Sequence, residues 1–230
     1  MNLADRYHAV NDRIAAAATM ANRDLSEIEL IVITKNHPAS LVVELVDLGH
    51  RQFGENRDQE AKPKALEVSD LRPEIELGWH FVGQLQSNKV KSVLSYAGTI
   101  HSLDRSSLLK ELAKQLANSQ QEVSAFLELN LTDDPNRGGL DPNNLAEFAS
   151  AASQVENLRI LGLMAVAGLG IDPKVDFEKV QGYSQELQSV IPEANKLSLG
   201  MSADFEAAIE FGATHLRIGS EITGPRQMNT

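Results

Sequence analysis

The chain has 230 residues, 21 Lys plus Arg against 32 Asp plus Glu, a formal net charge of −11, and no cysteine. Such an acidic balance argues against nonspecific binding to nucleic acid or anionic membranes, which needs a positive surface, but leaves room for a small basic pocket for a phosphate. Without cysteine there is no disulfide, no thiolate nucleophile and no Cys-based zinc or iron–sulfur site.

Residues 3–21 read as a helix, with Tyr7, Val10, Ile14 and Ala17 at spacings of three and four. Residues 28–34 (IELIVIT) form a compact β-branched run, the mark of a strand buried on both faces. Residues 38–48 return to helical period and Gly49 closes them. A short strand at 51–53, a polar helix at 57–68, a strand at 78–82, a helix at 84–95 and a strand at 99–102 follow, and Ser102 or Asp104 caps a helix running to Ala117. The second half keeps the rhythm: strand 124–131, a loop at 132–141, helix 143–153, strand 158–164, a loop at 165–173 and helix 175–190. Strand 196–198, helix 203–211 and strand 215–218 complete the chain.

About eight strands alternating with helices imply parallel strands and right-handed crossovers. An open doubly wound sheet and a closed barrel both fit. The length favours a single (β/α)₈ TIM barrel over residues 1–230, with an extra N-terminal helix over its bottom or side. The longest apolar run, Ile160–Ile171, is too short to cross a bilayer, and the N-terminus shows no signal peptide, so a cytoplasmic protein is expected.

In such a barrel, chemistry gathers where strands run into the following loops. Lys35 stands at the first such point, where one-sided desolvation makes an amine nucleophilic toward carbonyls. Asn56, Gly83, His101, Asn130 and Met164 stand at the next five. Ser202 sits at the N-cap of a well-signalled helix, a natural phosphate position. Arg217 and Gly219 alternate to one side of the last strand, and Ser220 adds a hydroxyl where barrels often bind phosphate. Asp133, Asp134 and Asp141 match no cation loop, Gly168–Gly170 lacks the third glycine of a dinucleotide fingerprint, and His37 and His80 lack metal-ligand spacing, so no metal is expected.

The same residues carry a resemblance. ITK at 33–35, FGENR at 53–57 with Gln59 and Glu60, WHFVGQLQSNK at 79–89, HSLDR at 101–105, GLM at 162–164, GMSADFEAAIEFGAT at 200–214 and RIGS at 217–220 resemble the YggS/PROSC family of pyridoxal phosphate homeostasis proteins. The resemblance implies a barrel like the N-terminal domain of alanine racemase, with pyridoxal 5′-phosphate (PLP) held as a Schiff base on Lys35. It implies that Ser202, Gly219 and Ser220 hold the phosphate, that Arg217 faces the pyridine nitrogen, and that Asn56 and Met201 line the ring. Asn36, Ser220 and the ITG at 222–224 depart from the usual Thr or Ser, Thr, and Ile-Phe-Gly, and none of these removes a named contact.

The function so implied is intracellular PLP homeostasis, meaning buffering and delivery of the cofactor without dedicated turnover and with no catalytic residue. The alternative is a racemase-like PLP enzyme, and a PLP-independent Schiff-base lyase is a third reading. A racemase needs an acid/base on each face. Thirteen residues follow Arg217, and Tyr7, Tyr96 and Tyr183 all fall away from strand C-terminal ends, so the second base and an enclosing domain are expected to be missing. An arginine at the ring nitrogen donates only, which leaves the ring a poor electron sink. The expected partners are PLP and apo PLP-dependent enzymes as acceptors, with no nucleic acid and no membrane, the protein acting as a monomer.

Overall fold

The computed structural model describes residues 1–225 apart from 118, 133, 135, 136 and 169. Eight parallel strands close into a barrel in sequential order, β1 pairing with both β2 and β8. The strands are β1 (Glu29–Ile33), β2 (Gln52–Glu55), β3 (Gly78–Phe81), β4 (Thr99–Leu103), β5 (Val123–Glu128), β6 (Leu158–Met164), β7 (Lys196–Ser198) and β8 (His215–Ile218). The helices are α1 (Leu3–Met20), α2 (Ala39–Asp47), α3 (Asp58–Leu71), α4 (Val90–Val93), α5 (Ser106–Leu116), α6 (Leu145–Ser153), α7 (Pro173–Val190), α8 (Phe205–Glu210) and α9 (Ser220–Thr223). No helix among the described residues is long and apolar enough to cross a membrane.

Strand alternation divides the core in two. Val32, Phe53, Phe81 and Ile100 belong to the apolar layer between strands and helices. Inside the barrel, buried Ile31, Ile33, Phe126 and Met164 share the space with polar side chains, His80, His101, Ser198 and Arg217. Gly162 has φ +155°, and a Cβ there would meet the Lys196 carbonyl oxygen at 1.8 Å, so glycine lets β6 and β7 pair.

α1 lies on the barrel's side, against α8 and α9. Arg6 Nε donates to the Ile222 carbonyl at 2.7 Å, and Arg13 bridges Glu206 and Glu221. The capping box at Asn2 and Asp5 starts the helix.

Three expected elements differ. Residues 84–95 are not one helix: a 3₁₀ turn at Ser87–Lys89 leads into the four-residue α4. Neither Ser102 nor Asp104 caps α5, whose N-cap is Arg105 without a side-chain bond. Ser102 Oγ instead donates to the Gly83 carbonyl, and Asp104 accepts from Arg105 and the Gly139 amide, tying neighbouring loops together. Ser202 is not an N-cap, because α8 starts at Phe205 and the Asp204 carboxylate folds back to accept the Met201 amide at 2.6 Å. Of the discounted loops, Asp133 and Leu169 lie outside the described residues, while Asp141 caps the 3₁₀ turn at Pro142–Asn144.

Candidate functional site

Lys35 follows β1 by two residues. Its neighbour Asn36 takes the left-handed conformation at φ +62°, and the His37 amide donates back to the Thr34 carbonyl at 3.1 Å, so the chain turns sharply around the lysine. The Lys35 side chain is half-buried, and its Nζ makes no hydrogen bond or ion pair among the described residues.

Across the barrel mouth, Gly200 at φ +84° turns the chain after β7 toward Met201 and Ser202. Beside it, β8 ends in Gly219 and Ser220, the latter opening α9. A Cβ on Gly219 would meet Ile33 at 3.4 Å, and Gly219 itself lines the cavity. The amides of Ser202 and Ala203 have no protein acceptor among the described residues, and the Ser202 and Ser220 hydroxyls add donors. On the facing wall a Cβ at Gly83 would strike the Asn56 carbonyl oxygen at 2.3 Å, so glycine seats the loops after β2 and β3 against each other and fixes Asn56.

Arg217 is 5% exposed. Its Nη1 donates to the Ser198 carbonyl and hydroxyl, both at 2.6 Å, and its Nη2 to the Ala165 carbonyl at 3.0 Å. Burial pushes the guanidinium down to about 10, with Glu128 and Asp204 opposing, so it stays a cation at neutral pH. Behind it a hydrogen-bonded chain crosses the barrel interior. His80 Nε2 donates to Gln52 Oε1 at 3.0 Å, which leaves His80 Nδ1 to accept from His101 Nε2 at 3.0 Å, and His101 Nδ1 to accept from Ser198 Oγ at 2.8 Å. Both rings are neutral: burial holds His80 at about 3 and drives His101 well below its ordinary value.

Lys35, Asn56, Met201, Ser202, Arg217, Gly219 and Ser220 thus line one cavity of about 470 Å³ at the C-terminal end of the barrel. It brings together a partnerless amine, a fixed cation and a hydroxyl-and-amide cradle. Those parts suit a ligand with a carbonyl and an anionic group.

A family model described as alanine racemase, N-terminal domain, matches residues 7–227. The pyridoxal phosphate homeostasis protein of Mycobacterium bovis is 36% identical, covering 96% of this chain and 92% of its own. That of Escherichia coli strain K12 is also 36% identical, over 98% and 97%. The chain belongs to the pyridoxal phosphate homeostasis protein family. Among solved structures, PipY of Synechococcus elongatus PCC7942 with PLP bound is similar, at 32% identity and a TM-score of 0.83 over 97% of this chain and 100% of that one.

Within this family member, sequence reasoning missed Glu128, His37 and Thr223 as cavity residues. Glu128 has the most chemical weight. Burial first, then Asp104, raises its carboxyl to about 7, against Arg217, Arg137 and Arg105. The residue was hidden because strand 5 reads two or three residues too long: Leu129 makes an isolated bridge to Leu140 and extends the apolar run. The expected end residue, Asn130, turns into its own loop and donates to the Asp134 and Arg137 carbonyls. His101, expected at the mouth, is fully buried in the interior chain.

Proposed function

We propose that this protein binds PLP in the barrel-mouth cavity, held as a Schiff base on Lys35, and buffers and delivers the cofactor without dedicated turnover. The observation that carries the reading is the partnerless Lys35 amine in one cavity with Arg217 and the Ser202, Gly219 and Ser220 cradle. Bound PLP supplies an aldehyde that condenses reversibly with a primary amine. Lys35 holds that carbon. Ser202, Gly219 and Ser220 hold the phosphate through hydroxyls and free amides. Arg217, a donor only, would meet the pyridine nitrogen without giving it a proton, and Asn56 and Met201 would hold the ring. The acceptors would be apo PLP-dependent enzymes, met in the cytoplasm by a monomeric carrier. Purified protein should show the absorbance band of a PLP–lysine linkage and lose it in Lys35→Ala. Borohydride-fixed cofactor mapped to another lysine would overturn the assignment.

Ser220→Ala should weaken retention of PLP by about 1.5–3 kcal/mol, the worth of a charge-assisted hydrogen bond, and leave pyridoxal little affected. Equal losses for the two ligands, measured by equilibrium dialysis, would remove the phosphate role.

Racemisation needs a second acid/base facing Lys35. Tyr7 is on α1, Tyr96 follows α4 and Tyr183 is on α7, and no tyrosine lines the cavity among the described residues. An unprotonated ring nitrogen further limits carbanion stabilisation. Deuterium exchange at Cα of alanine and other amino acids should therefore be slow beside PLP transfer to an apo-enzyme. Exchange near the usual enzymatic median of about 10 s⁻¹ would sink the carrier reading.

A further inference from the structure

Behind the cavity lysine lies a second one. Lys64, on α3, is 5% exposed. Its Nζ donates to the Thr34 carbonyl at 2.9 Å, to Glu55 Oε1 at 2.6 Å and to Glu60 Oε1 at 2.9 Å. An ammonium has three protons, and all three are taken. The carboxylates reach onward. Glu55 Oε1 also accepts the Thr34 hydroxyl at 2.7 Å, and Glu60 Oε1 accepts the Asn36 amide. Thr34 and Asn36 are the two chain neighbours of Lys35. One cluster therefore grips the backbone on both sides of the reactive lysine, with Asn36 in its left-handed turn.

The two lysines are opposites. Lys35 Nζ has no partner among the described residues, whereas Lys64 Nζ is engaged by three acceptors at once. Schiff-base capture needs a lone pair: the nitrogen adds to the aldehyde carbon, its two protons leave with the aldehyde oxygen as water, and a carbon–nitrogen double bond remains.

We propose that Glu55, Lys64 and Glu60 are positioning residues for Lys35: they fix its backbone from both sides and keep the Lys64 amine engaged in the interior, so that an aldehyde ligand is captured at Lys35 and not at its neighbour. The inference rests on Lys35 as the attachment residue proposed above.

Glu60 is the tractable member, because its side chain is 27% exposed and Glu60→Gln removes charge without emptying the interior. The probes are PLP, pyridoxal, and pyridoxine 5′-phosphate, which carries an alcohol in place of the aldehyde. In stopped-flow mixing with the apo-protein, Glu60→Gln should slow capture of PLP and of pyridoxal by about tenfold or more, as small misplacements of a reacting group do. Pyridoxine 5′-phosphate, which forms no bond to the lysine, should bind the variant as it binds the wild type. Wild-type capture rates in the variant would overturn the inference and leave the Lys35 reading standing. So would an equal loss for all three probes, which would mean a deformed cavity. Borohydride mapping of the wild type to a lysine other than Lys35 would remove the underlying reading and the inference together.

Discussion

Taking the protein from pH 6.5 to pH 5 should cost it several kcal/mol of stability. Four histidines whose values lie far below the ordinary one set the effect. Burial holds His50 and His215 at about 4 and His80 at about 3, and drives His101 well below its ordinary value. Each is depressed below the value of about 6.5 that it has in the unfolded chain, so its contribution is fully present above pH 6.5 and is lost as the pH falls toward the folded-state value. Near pH 5 the unfolded chain binds about four more protons at these rings than the folded barrel does. Glu29, Glu55 and Glu128 act with the opposite sign, because burial raises them and the folded state holds their protons more tightly. They reduce the uptake on unfolding below four protons, and each proton that remains steepens the slope by about 1.4 kcal/mol per pH unit. Urea midpoints at pH 7, 6 and 5 at fixed ionic strength measure it. A midpoint that stays level or rises across that range would refute the account. His80→Gln should flatten the slope by about one proton, roughly 1.4 kcal/mol per pH unit.

Lys64→Met should destabilise the fold by about 3–5 kcal/mol, the usual cost of removing one partner from a buried ion pair. The reason is Glu55, which is 0% exposed and takes its charged partner from Lys64 at 2.6 Å. Among the described residues Glu55 Oε2 has no hydrogen-bond partner, and the Thr34 hydroxyl would remain to stabilise the anion. Burial already raises this carboxyl against the pull of Lys64. With the lysine gone it rises further, so the deficit should shrink as the pH falls and Glu55 protonates. The double variant Lys64→Met/Glu55→Gln should recover a large part of the loss. A deficit under about 1 kcal/mol for the single variant, the value of an exposed pair, would show that water reaches Glu55.

The barrel was legible because its strands are short apolar runs closed by turn residues: β6, β7 and β8 fall where the pattern puts them. The cavity residues were legible for a related reason, since strand C-terminal ends are positions that a pattern can count. What failed depended on contacts remote in sequence. The stretch 84–95 reads as a helix, yet Leu85 is buried and its carbonyl accepts from Arg105, twenty residues on. Ser202 suits an N-cap by residue type, but α8 starts three residues further on, at Phe205. The Lys64 cluster was invisible because residues 57–68 read as a solvated polar helix. Nothing local reveals that Lys64 turns inward to Glu55 and Thr34. Likewise, polar side chains at strand positions did not announce a chain of histidines running to Arg217.

The pairing of β1 with β8, and the tie from Arg6 to Ile222 across 216 positions of sequence, bear on the order of folding. Lys35 follows the first strand and Ser220 the last, so the amine and the cradle meet only when the barrel closes. Contacts this distant in sequence form late and slowly. A ligand that needs both halves has nothing to grip on a growing or partly folded chain. It would leave the early folding phases untouched and act on the closed barrel by slowing its opening, so bound cofactor would mark a completed molecule.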